Sequence, residues 1–248
     1  IAIPFSVTSI GSYAFSECQL LQQISIPSST NSIGDFAFFN CLSLKKISFE
    51  HPSSLNSIGD FAFFRCRLLT EVSIPSSVTS IGNYSFFRCL SLKQIIFELP
   101  SSVISIGEFA FNECTSLTKI SIPSSVKEIG YDAFYKCISL SHIQFDHPSS
   151  LTSIGENAFS KCSSLKEISF PSSVTLIGKE AFYECSLLTH ISFDHPSSLT
   201  SIGESAFFKC SLLNEISIPS SLTLIEQNTF YECSSLIKVS FELPSSVI

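Results

Sequence analysis

Apolar and polar residues recur along the whole chain in one pattern: Leu-x-x-Ile-x-Ile/Phe, then Pro-Ser-Ser, then Ile-Gly-x-x-Ala-Phe-x-x-Cys. In one copy, Ile47 and Phe49 fall on one face and Lys46 and Ser48 fall on the other. This two-residue period predicts a half-buried β-strand. The proline ends the strand because it has no N–H to donate. The segment from glycine to cysteine is long enough only for a short helical turn.

The cysteines mark the period of this pattern, since one occurs in every copy. They are Cys18, Cys41, Cys66, Cys89, Cys114, Cys137, Cys162, Cys185, Cys210 and Cys233, with gaps that alternate between 23 and 25 residues. The two additional residues of each longer copy, such as Glu50-His51, lie between the strand and the proline. A fixed period of this size predicts a solenoid, because one copy cannot bury its own apolar face and must stack on its neighbours.

We therefore expect one domain over residues 1–248, with ten coils that alternate between 23 and 25 residues. A parallel β-sheet should form one side, and short helical or 3-10 turns and loops should form the other. The glycine after isoleucine is expected to supply the freedom for a sharp turn. Because the pattern is interrupted at both ends, we interpret the chain as a piece of a longer array.

The repeated string Ile-Pro-Ser-Ser-Val-x-x-Ile-Gly-x-x-Ala-Phe-x-x-Cys-x-x-Leu-x-x-Ile resembles the BspA-type leucine-rich repeat, nearly unbroken at residues 123–143. The resemblance covers the entire chain and departs mainly in the last copy, at Glu226 and Thr229. It implies a leucine-rich-repeat solenoid. Because members resemble adhesive surface proteins of mucosal bacteria and protozoan parasites, it also implies a cell-surface or extracellular, adhesin-like protein. Its partner would be a protein or another host-surface macromolecule.

Charge and motifs restrict the function further. A formal charge of -7, from 14 basic and 21 acidic residues, argues against a nucleic-acid partner. No apolar run approaches the roughly 20 residues that would insert into a membrane. The sequence contains neither a Gly-x-Ser-x-Gly motif nor a phosphate-binding glycine loop. We therefore predict a protein that binds partners without catalysis and without a cofactor.

The cysteines are predicted to be buried and reduced. Equivalent side chains in stacked coils run parallel, whereas a disulfide requires the two Cβ atoms to face each other. Each thiol would then act as a small apolar group in the core. Reduced thiols also suit a cytoplasmic protein, so an intracellular protein-protein interaction scaffold is the alternative function. Self-association of solenoids is a third hypothesis.

Histidines beside acidic residues raise the possibility of a metal site. The two candidate sets are His142, Asp146 and His147, and His190, Asp194 and His195. They lie two coils apart, about 10 Å at the spacing of β-strands, which is too far to share one ion. Each set runs along one strand and its exit, so we favour a solvated loop edge and predict no metal.

The first outward position of each strand varies although its flanking residues barely change. It is Gln23, Lys46, Glu71, Gln94, Lys119, His142, Glu167, His190, Glu215 and Lys238 in turn. The second outward position is nearly always serine, with Ile96 and Gln144 as exceptions. We predict that partners bind this face and the extensions beside it. The predicted binding residues are Lys46, Glu71, Lys119, His142, Asp146, His147, Glu167, His190, Asp194 and His195; a solvated face that tolerates any polar residue is the alternative.

One aromatic column is limited to the first half of the chain, on the side opposite the predicted sheet. The position before Ala-Phe is Tyr13, Phe36, Phe61, Tyr84 and Phe109, and then Asp132, Asn157, Glu180, Ser205 and Asn228. Two interpretations are open. The rings form a half-buried stacked ladder that extends the core, or they form a contact patch for another chain.

Overall fold

The computed structural model describes residues 3–242, which form the predicted solenoid of stacked parallel coils. A coil consists of a short strand of two residues, a turn segment that ends at the cysteine, and a long strand of four residues. The tenth coil differs, because its short strand is replaced by a single bridge between Ile225 and Ile202. Leu243, the second residue of the last extension, and Pro244, where the sequence pattern resumes, lie outside the described residues.

The long strands form the predicted sheet. They are β2 (Gln23–Ile26), β4 (Lys46–Phe49), β6 (Glu71–Ile74), β8 (Gln94–Phe97), β10 (Lys119–Ile122), β12 (His142–Phe145), β14 (Glu167–Phe170), β16 (His190–Phe193), β18 (Glu215–Ile218) and β19 (Lys238–Phe241). In most of them the second and fourth residues are buried and the first is exposed, as the alternating pattern requires.

The long strands pair in blocks of two. Within the blocks β2–β4, β6–β8, β10–β12, β14–β16 and β18–β19, all four residues are in register. Between blocks, β8 and β10 pair only at Gln94 and Lys119, and β16 and β18 pair only at His190 and Glu215. We call each boundary between successive blocks a joint.

Proline explains the joints. After each even-numbered coil, the first extension residue donates its N–H to the preceding strand, as from Glu50 to the Ile26 carbonyl at 2.9 Å. The next strand is followed directly by proline, as at Pro75, which has no N–H to continue the ladder. Pairing is therefore complete on one side of each extended coil and incomplete on the other.

The short strands form a second sheet, which sequence analysis did not predict. They are β1 (Ser9–Ile10), β3 (Ser32–Ile33), β5 (Ser57–Ile58), β7 (Ser80–Ile81), β9 (Ser105–Ile106), β11 (Glu128–Ile129), β13 (Ser153–Ile154), β15 (Leu176–Ile177) and β17 (Ser201–Ile202). All nine pair in parallel, without joints, into one continuous sheet. The isoleucine of each strand points into the core and is buried.

The turn segment contains no helix or 3-10 helix anywhere in residues 3–242, unlike the short helical turn expected from its length. Its backbone N–H groups point alternately toward the next coil and toward their own coil. Phe61 and Phe63 donate to carbonyls of the next coil at 2.8 and 2.7 Å, whereas Phe64 donates to its own coil at 3.1 Å. This alternation requires left-handed backbone at two positions of every coil, with φ of 55° at Phe61 and 58° at Arg65.

The repeated glycine has a different role from the one expected, because no described glycine has a positive φ. A Cβ atom added to Gly82 would lie 2.5 Å from the backbone carbon of Gly59 in the preceding coil. Glycine is therefore required because successive backbones approach too closely for a side chain. The left-handed positions are instead occupied by aromatic, acidic, basic and amide side chains.

The core consists of columns of equivalent side chains that run along the solenoid. The largest column contains the phenylalanine three residues before each cysteine, with rings stacked at 5.1–5.7 Å, as between Phe63 and Phe86. Burial of these rings and of the neighbouring isoleucine and leucine columns supplies the main stabilisation.

All ten cysteines are unpaired, as predicted, and nine of them are buried. Cys18 is exposed because it lies in the first coil, with no coil before it. The thiols do more than fill space: the Sγ of Cys114 donates to the carbonyl oxygen of Phe86 at 3.3 Å. Equivalent bonds link cysteines to the preceding coil from Cys41 to Cys233. Each of these thiols is therefore a hydrogen-bond donor as well as the small apolar group predicted from the sequence.

Candidate binding surface on the long strands

The predicted row of variable side chains lies on the outer face of the long strands. In-register pairing brings Lys119 beside His142 and Glu167 beside His190, and all four are exposed. Lys46 and Glu71 occupy the same row and are also exposed. Because all six residues are exposed, the apolar packing of the coil does not dictate which side chain each of them carries.

The extensions, which follow every second long strand, form a second row beside the first. Successive extensions lie two coils apart, about 10 Å at the spacing of β-strands, and their side chains reach across that distance. His51 Nε2 lies 3.4 Å from Glu98 Oε1, His147 Nδ1 lies 3.9 Å from Asp194 Oδ2, and His195 Nδ1 lies 3.4 Å from Glu242 Oε2. We call each of these pairs a clasp.

Serine hydroxyls of the intervening strands hold the acidic partners in place. The Oγ of Ser73 donates to Glu98 Oε1 at 2.9 Å, and the Oγ of Ser169 donates to Asp194 Oδ1 at 3.4 Å. Each of these carboxylates therefore receives a serine from the adjacent strand and a histidine from two coils away. Because successive extensions belong to successive blocks, the clasps connect the blocks across the joints.

One joint lacks a clasp. At the position where the second, sixth and eighth coils have His51, His147 and His195, the fourth coil has Leu99, whose side chain is 74% exposed. The acid opposite, Asp146, accepts a hydrogen bond from Ser121 Oγ at 2.6 Å. Within residues 3–242, no cationic group lies within ion-pair distance of Asp146. This joint lies between β8 and β10.

Departures from the repeat cluster at this same joint. Ile96 occupies a serine position on β8 and is 41% exposed, and Gln144 occupies the equivalent position on β12. A shallow groove of about 460 Å³ runs over the joint, and Ile96, Leu99, Lys119 and Asp146 are among its lining residues. Ile96 and Gln144 are 48 positions apart in the sequence, and the stacking of the coils brings both to the same groove.

The joint between β16 and β18 provides a comparison. A groove of about 350 Å³ lies there as well, but its outer side chains are polar, with Ser192, Ser217 and Ser240 at the serine positions. The clasp from His195 to Glu242 spans this groove. The two joints thus share their backbone arrangement and differ in the chemistry of the groove.

The candidate metal sets are not brought together. The Nδ1 of His142 is 2.8 Å from the Oγ of Ser141, while His147 faces Asp194 of a later coil. Among the described residues, no group of three or more histidine, cysteine, aspartate or glutamate side chains could hold a metal ion.

The aromatic column on the turn segment is a stacked ladder. Tyr13, Phe36, Phe61, Tyr84 and Phe109 stack at centroid distances of 4.3–4.8 Å, and the inner four are half-buried. This geometry confirms the ladder interpretation. A role for the same rings in contacting another chain stays a prediction.

The ladder ends at Asp132, which is buried and whose Oδ1 has no hydrogen-bond partner. Burial, with smaller contributions from Glu156 and Glu180, raises the pKa of Asp132 to about 6. The polar half of the column thus begins with a carboxylate that is poorly solvated when charged.

Comparison with known proteins reveals a consistent group of relatives. The family model of the BspA type leucine rich repeat region matches residues 1–98, 96–195 and 188–248. A leucine-rich repeat protein from Bacteroides ovatus is 34% identical, with a TM-score of 0.72 over 98% of this chain and 68% of that one. Comparison with curated proteins gives no match.

Two further solved structures are similar. A leucine rich cell surface protein from Faecalibacterium prausnitzii is 28% identical, with a TM-score of 0.50 over 99% of this chain and 88% of that one. A T. pallidum leucine rich repeat protein is 30% identical, with a TM-score of 0.59 over 66% of this chain and 77% of that one. In the part of the chain that the structure describes, no helix has the length and apolarity to cross a bilayer.

Proposed function

Because the chain belongs to the BspA-type leucine-rich repeat family, we propose that it is an adhesin-like module that binds a protein or another surface macromolecule through its long-strand face. Solenoids of this family are typically non-enzymatic, which supports binding over catalysis. The long-strand face presents charged and polar side chains at regular spacing on a rigid support. Repeated weak contacts on such a support strengthen one another when the partner is also repetitive.

One observation carries this proposal. The variable row on the long strands is exposed and in register, and the departures from the repeat collect beside it at the joint between β8 and β10. Core packing cannot account for an exposed isoleucine where eight of the ten long strands have serine, or for an exposed leucine where three of the five extensions have histidine. Exposed apolar groups flanked by charged ones are typical of surfaces that contact other proteins.

We further propose that the protein works at the cell surface or outside the cell. The relative from Faecalibacterium prausnitzii is a leucine rich cell surface protein, and its likeness spans nearly the whole of this chain. Ten unpaired thiols would suit the cytoplasm equally well. Nine of them are buried and bonded to carbonyl groups, so burial would protect them in either compartment.

The proposal is tested by capture and substitution. The chain is immobilised and exposed to surface-protein extracts of host cells and co-resident bacteria, and captured proteins are identified by mass spectrometry. A variant with Lys119, His142, Glu167 and His190 all changed to serine should lose the captured partner. Its thermal unfolding should stay close to that of the unchanged chain, since these side chains are exposed.

A matched control places the same number of changes on the other sheet. Serine substitution of Thr152, Thr175 and Thr200, with Glu128 changed to serine, alters four positions beside or on the short strands, of which Thr175 is half-buried and the others are exposed. This control should retain the partner. If both variants retain the partner, the long-strand face is excluded as the binding site. If both lose it, the partner is held elsewhere or on several faces.

A further inference from the structure

The joint between β8 and β10 lacks the histidine–carboxylate pair that spans the other joints. At three other joints a histidine and a carboxylate meet at 3.4–3.9 Å across the gap left by incomplete pairing. Here Leu99 replaces the histidine, so Asp146 accepts the hydrogen bond from Ser121 but has no histidine partner. The joint thus has an acidic acceptor, a neighbouring apolar surface and a groove between them.

We propose that this unclasped joint is a docking site for a segment of a partner protein that carries a cationic side chain beside an apolar one. The cationic group would pair with Asp146 in the place that histidine occupies at the other joints. The apolar side chain would cover Leu99 and Ile96. This inference rests on the proposed binding function and names the chemistry that one part of the surface recognises.

The charges around the groove select this partner. Glu98, the acid beside Leu99, already pairs with His51 and Ser73. Asp146 corresponds to the carboxylates that face a histidine at the other joints, but it faces Leu99. A guanidinium or ammonium group pairs well with such a carboxylate. A purely apolar segment would cover Leu99 and Ile96 but leave the carboxylate without a counter-charge, and an acidic group placed against Asp146 would be repelled. Lys119 also lines the groove but lies beyond ion-pair distance of Asp146.

The exposed apolar side chains also distinguish this joint from the other joints. Leu99 and Ile96 are exposed at 74% and 41%, although the equivalent positions elsewhere on the long strands are mainly histidine and serine. Covering both side chains removes apolar surface from water, which favours association. The apolar groups and the carboxylate line one groove, so one short segment can reach both.

Three capped peptides serve as probes: acetyl-Leu-Arg-Leu-amide, the acidic match acetyl-Leu-Glu-Leu-amide, and the apolar-deficient match acetyl-Gly-Arg-Gly-amide. Binding to the full chain is followed by NMR titration of its isoleucine and leucine methyl groups. The first peptide should shift the Ile96 and Leu99 methyl signals and bind at least about fivefold more tightly than either match. Equal shifts from all three peptides, or none from the first, would overturn the proposal.

Two variants identify the groups responsible. Leu99→His installs the residue that the repeat uses at this position, so it preserves the fold and should close the joint with a new clasp to Asp146. Asp146→Asn removes the charge and keeps the shape. Both should weaken the first peptide at least about fivefold. Unchanged affinity in both variants would show that the peptide binds elsewhere and would overturn the proposal.

The reciprocal variant creates a second site. Changing Gln144 to isoleucine and His147 to leucine reproduces the Ile96 and Leu99 pattern at the joint between β12 and β14, opposite Asp194. The first peptide should then bind at two sites in each chain, with new methyl shifts near Asp194. A single site in this folded variant would contradict the assignment of recognition to these residues.

The outcomes separate this proposal from the proposed function. If the serine variant of the long-strand row loses a captured partner while Leu99→His and Asp146→Asn still bind both partner and peptide, the docking site is wrong and the function stands. If the peptides follow the expected order but no surface macromolecule is captured, the groove chemistry stands and the proposed function fails.

Discussion

The Nε2 atom of His51 lies 3.4 Å from Oε1 of Glu98, although 47 positions separate the two residues in the sequence. The contact crosses the joint between β4 and β6, where strand pairing is interrupted. The histidine side chain is 62% exposed, so water screens much of the attraction. The clasp therefore contributes modestly to stability and mainly holds two blocks in a fixed relation.

We predict that His147→Leu, which removes the equivalent clasp to Asp194, lowers the free energy of unfolding by about 0.5 kcal/mol. The control His142→Leu changes a histidine that belongs to no clasp. Chemical denaturation at low salt should detect the difference when His147 is protonated, and 1 M NaCl should then reduce it because salt screens exposed charges. Equal losses in the two variants would mean that the clasp does not stabilise the joint.

The reactivity of the thiols measures how many cysteines are buried and unpaired. Burial raises the pKa of the Cys41 thiol to about 12 and shifts those of Cys66, Cys89, Cys114 and Cys162 upward. A thiol reagent at neutral pH should therefore label one cysteine rapidly in the native protein, the exposed Cys18, and ten in denaturant. Several thiols that remain unreactive in denaturant would reveal disulfides and contradict the parallel stacking.

A second thiol prediction follows from the carbonyl partner of Cys114. Cys114→Ser keeps a donor close to the Phe86 carbonyl, whereas Cys114→Ala leaves the position without a donor and less well packed. We expect a loss of about 1 kcal/mol for serine and a larger loss for alanine, measured by chemical denaturation. A serine variant less stable than the alanine variant would show that the hydroxyl finds no partner.

The glycine column is tested by two substitutions with opposite expectations. An added Cβ at Gly107 would lie 2.7 Å from the Ile81 carbonyl oxygen and 2.8 Å from the Asn83 nitrogen, whereas one at Gly11 would meet nothing within 4 Å. Gly107→Ala should destabilise the protein by about 2 kcal/mol or more, and Gly11→Ala should be neutral or slightly stabilising. Similar thermal stability of the two variants would argue against close approach of successive coils.

Asp132 makes stability depend on pH in a defined direction. The pKa of its carboxyl is raised from 3.8 to about 6 in the folded chain, so the folded state disfavours the charged form. Stability linked to this group is complete below about pH 4 and is lost as the pH rises through 6. Asp132→Asn should therefore be more stable than the unchanged chain at pH 8, by about 2 kcal/mol, and the advantage should disappear at pH 4. An advantage independent of pH would refute this explanation.

Much of the fold could be predicted because each coil repeats the same apolar positions. The cysteine spacing gives the number of coils, and the alternation around Ile47 and Phe49 gives the long strands. The short strands were missed because two residues, such as Ser57 and Ile58, are too few to establish a period. The left-handed turn positions were missed because aromatic residues such as Phe61 do not favour that conformation in isolation. Stacking between coils compensates for the cost.

The candidate surface was predictable only in part. The outward positions of Lys119 and His142 follow from strand alternation, and both were placed correctly on one face. The clasps could not be predicted, because they depend on the direction in which an extension projects over the intervening strand. The unclasped joint can be recognised only by comparison with the clasps. The relation between Leu99 and Asp146 therefore becomes visible only once the coils are stacked.

Under the two proposals together, partners bind the long-strand face at the joint between β8 and β10. Methyl NMR of the chain, titrated with the protein captured on it, tests this directly. We predict that the signals of Ile96 and Leu99 shift, while those of Leu176 on the short-strand sheet and Leu187 in a turn, which are also exposed, stay unchanged. Shifts confined to Leu176 or Leu187, with Ile96 and Leu99 unaffected, would contradict the claim.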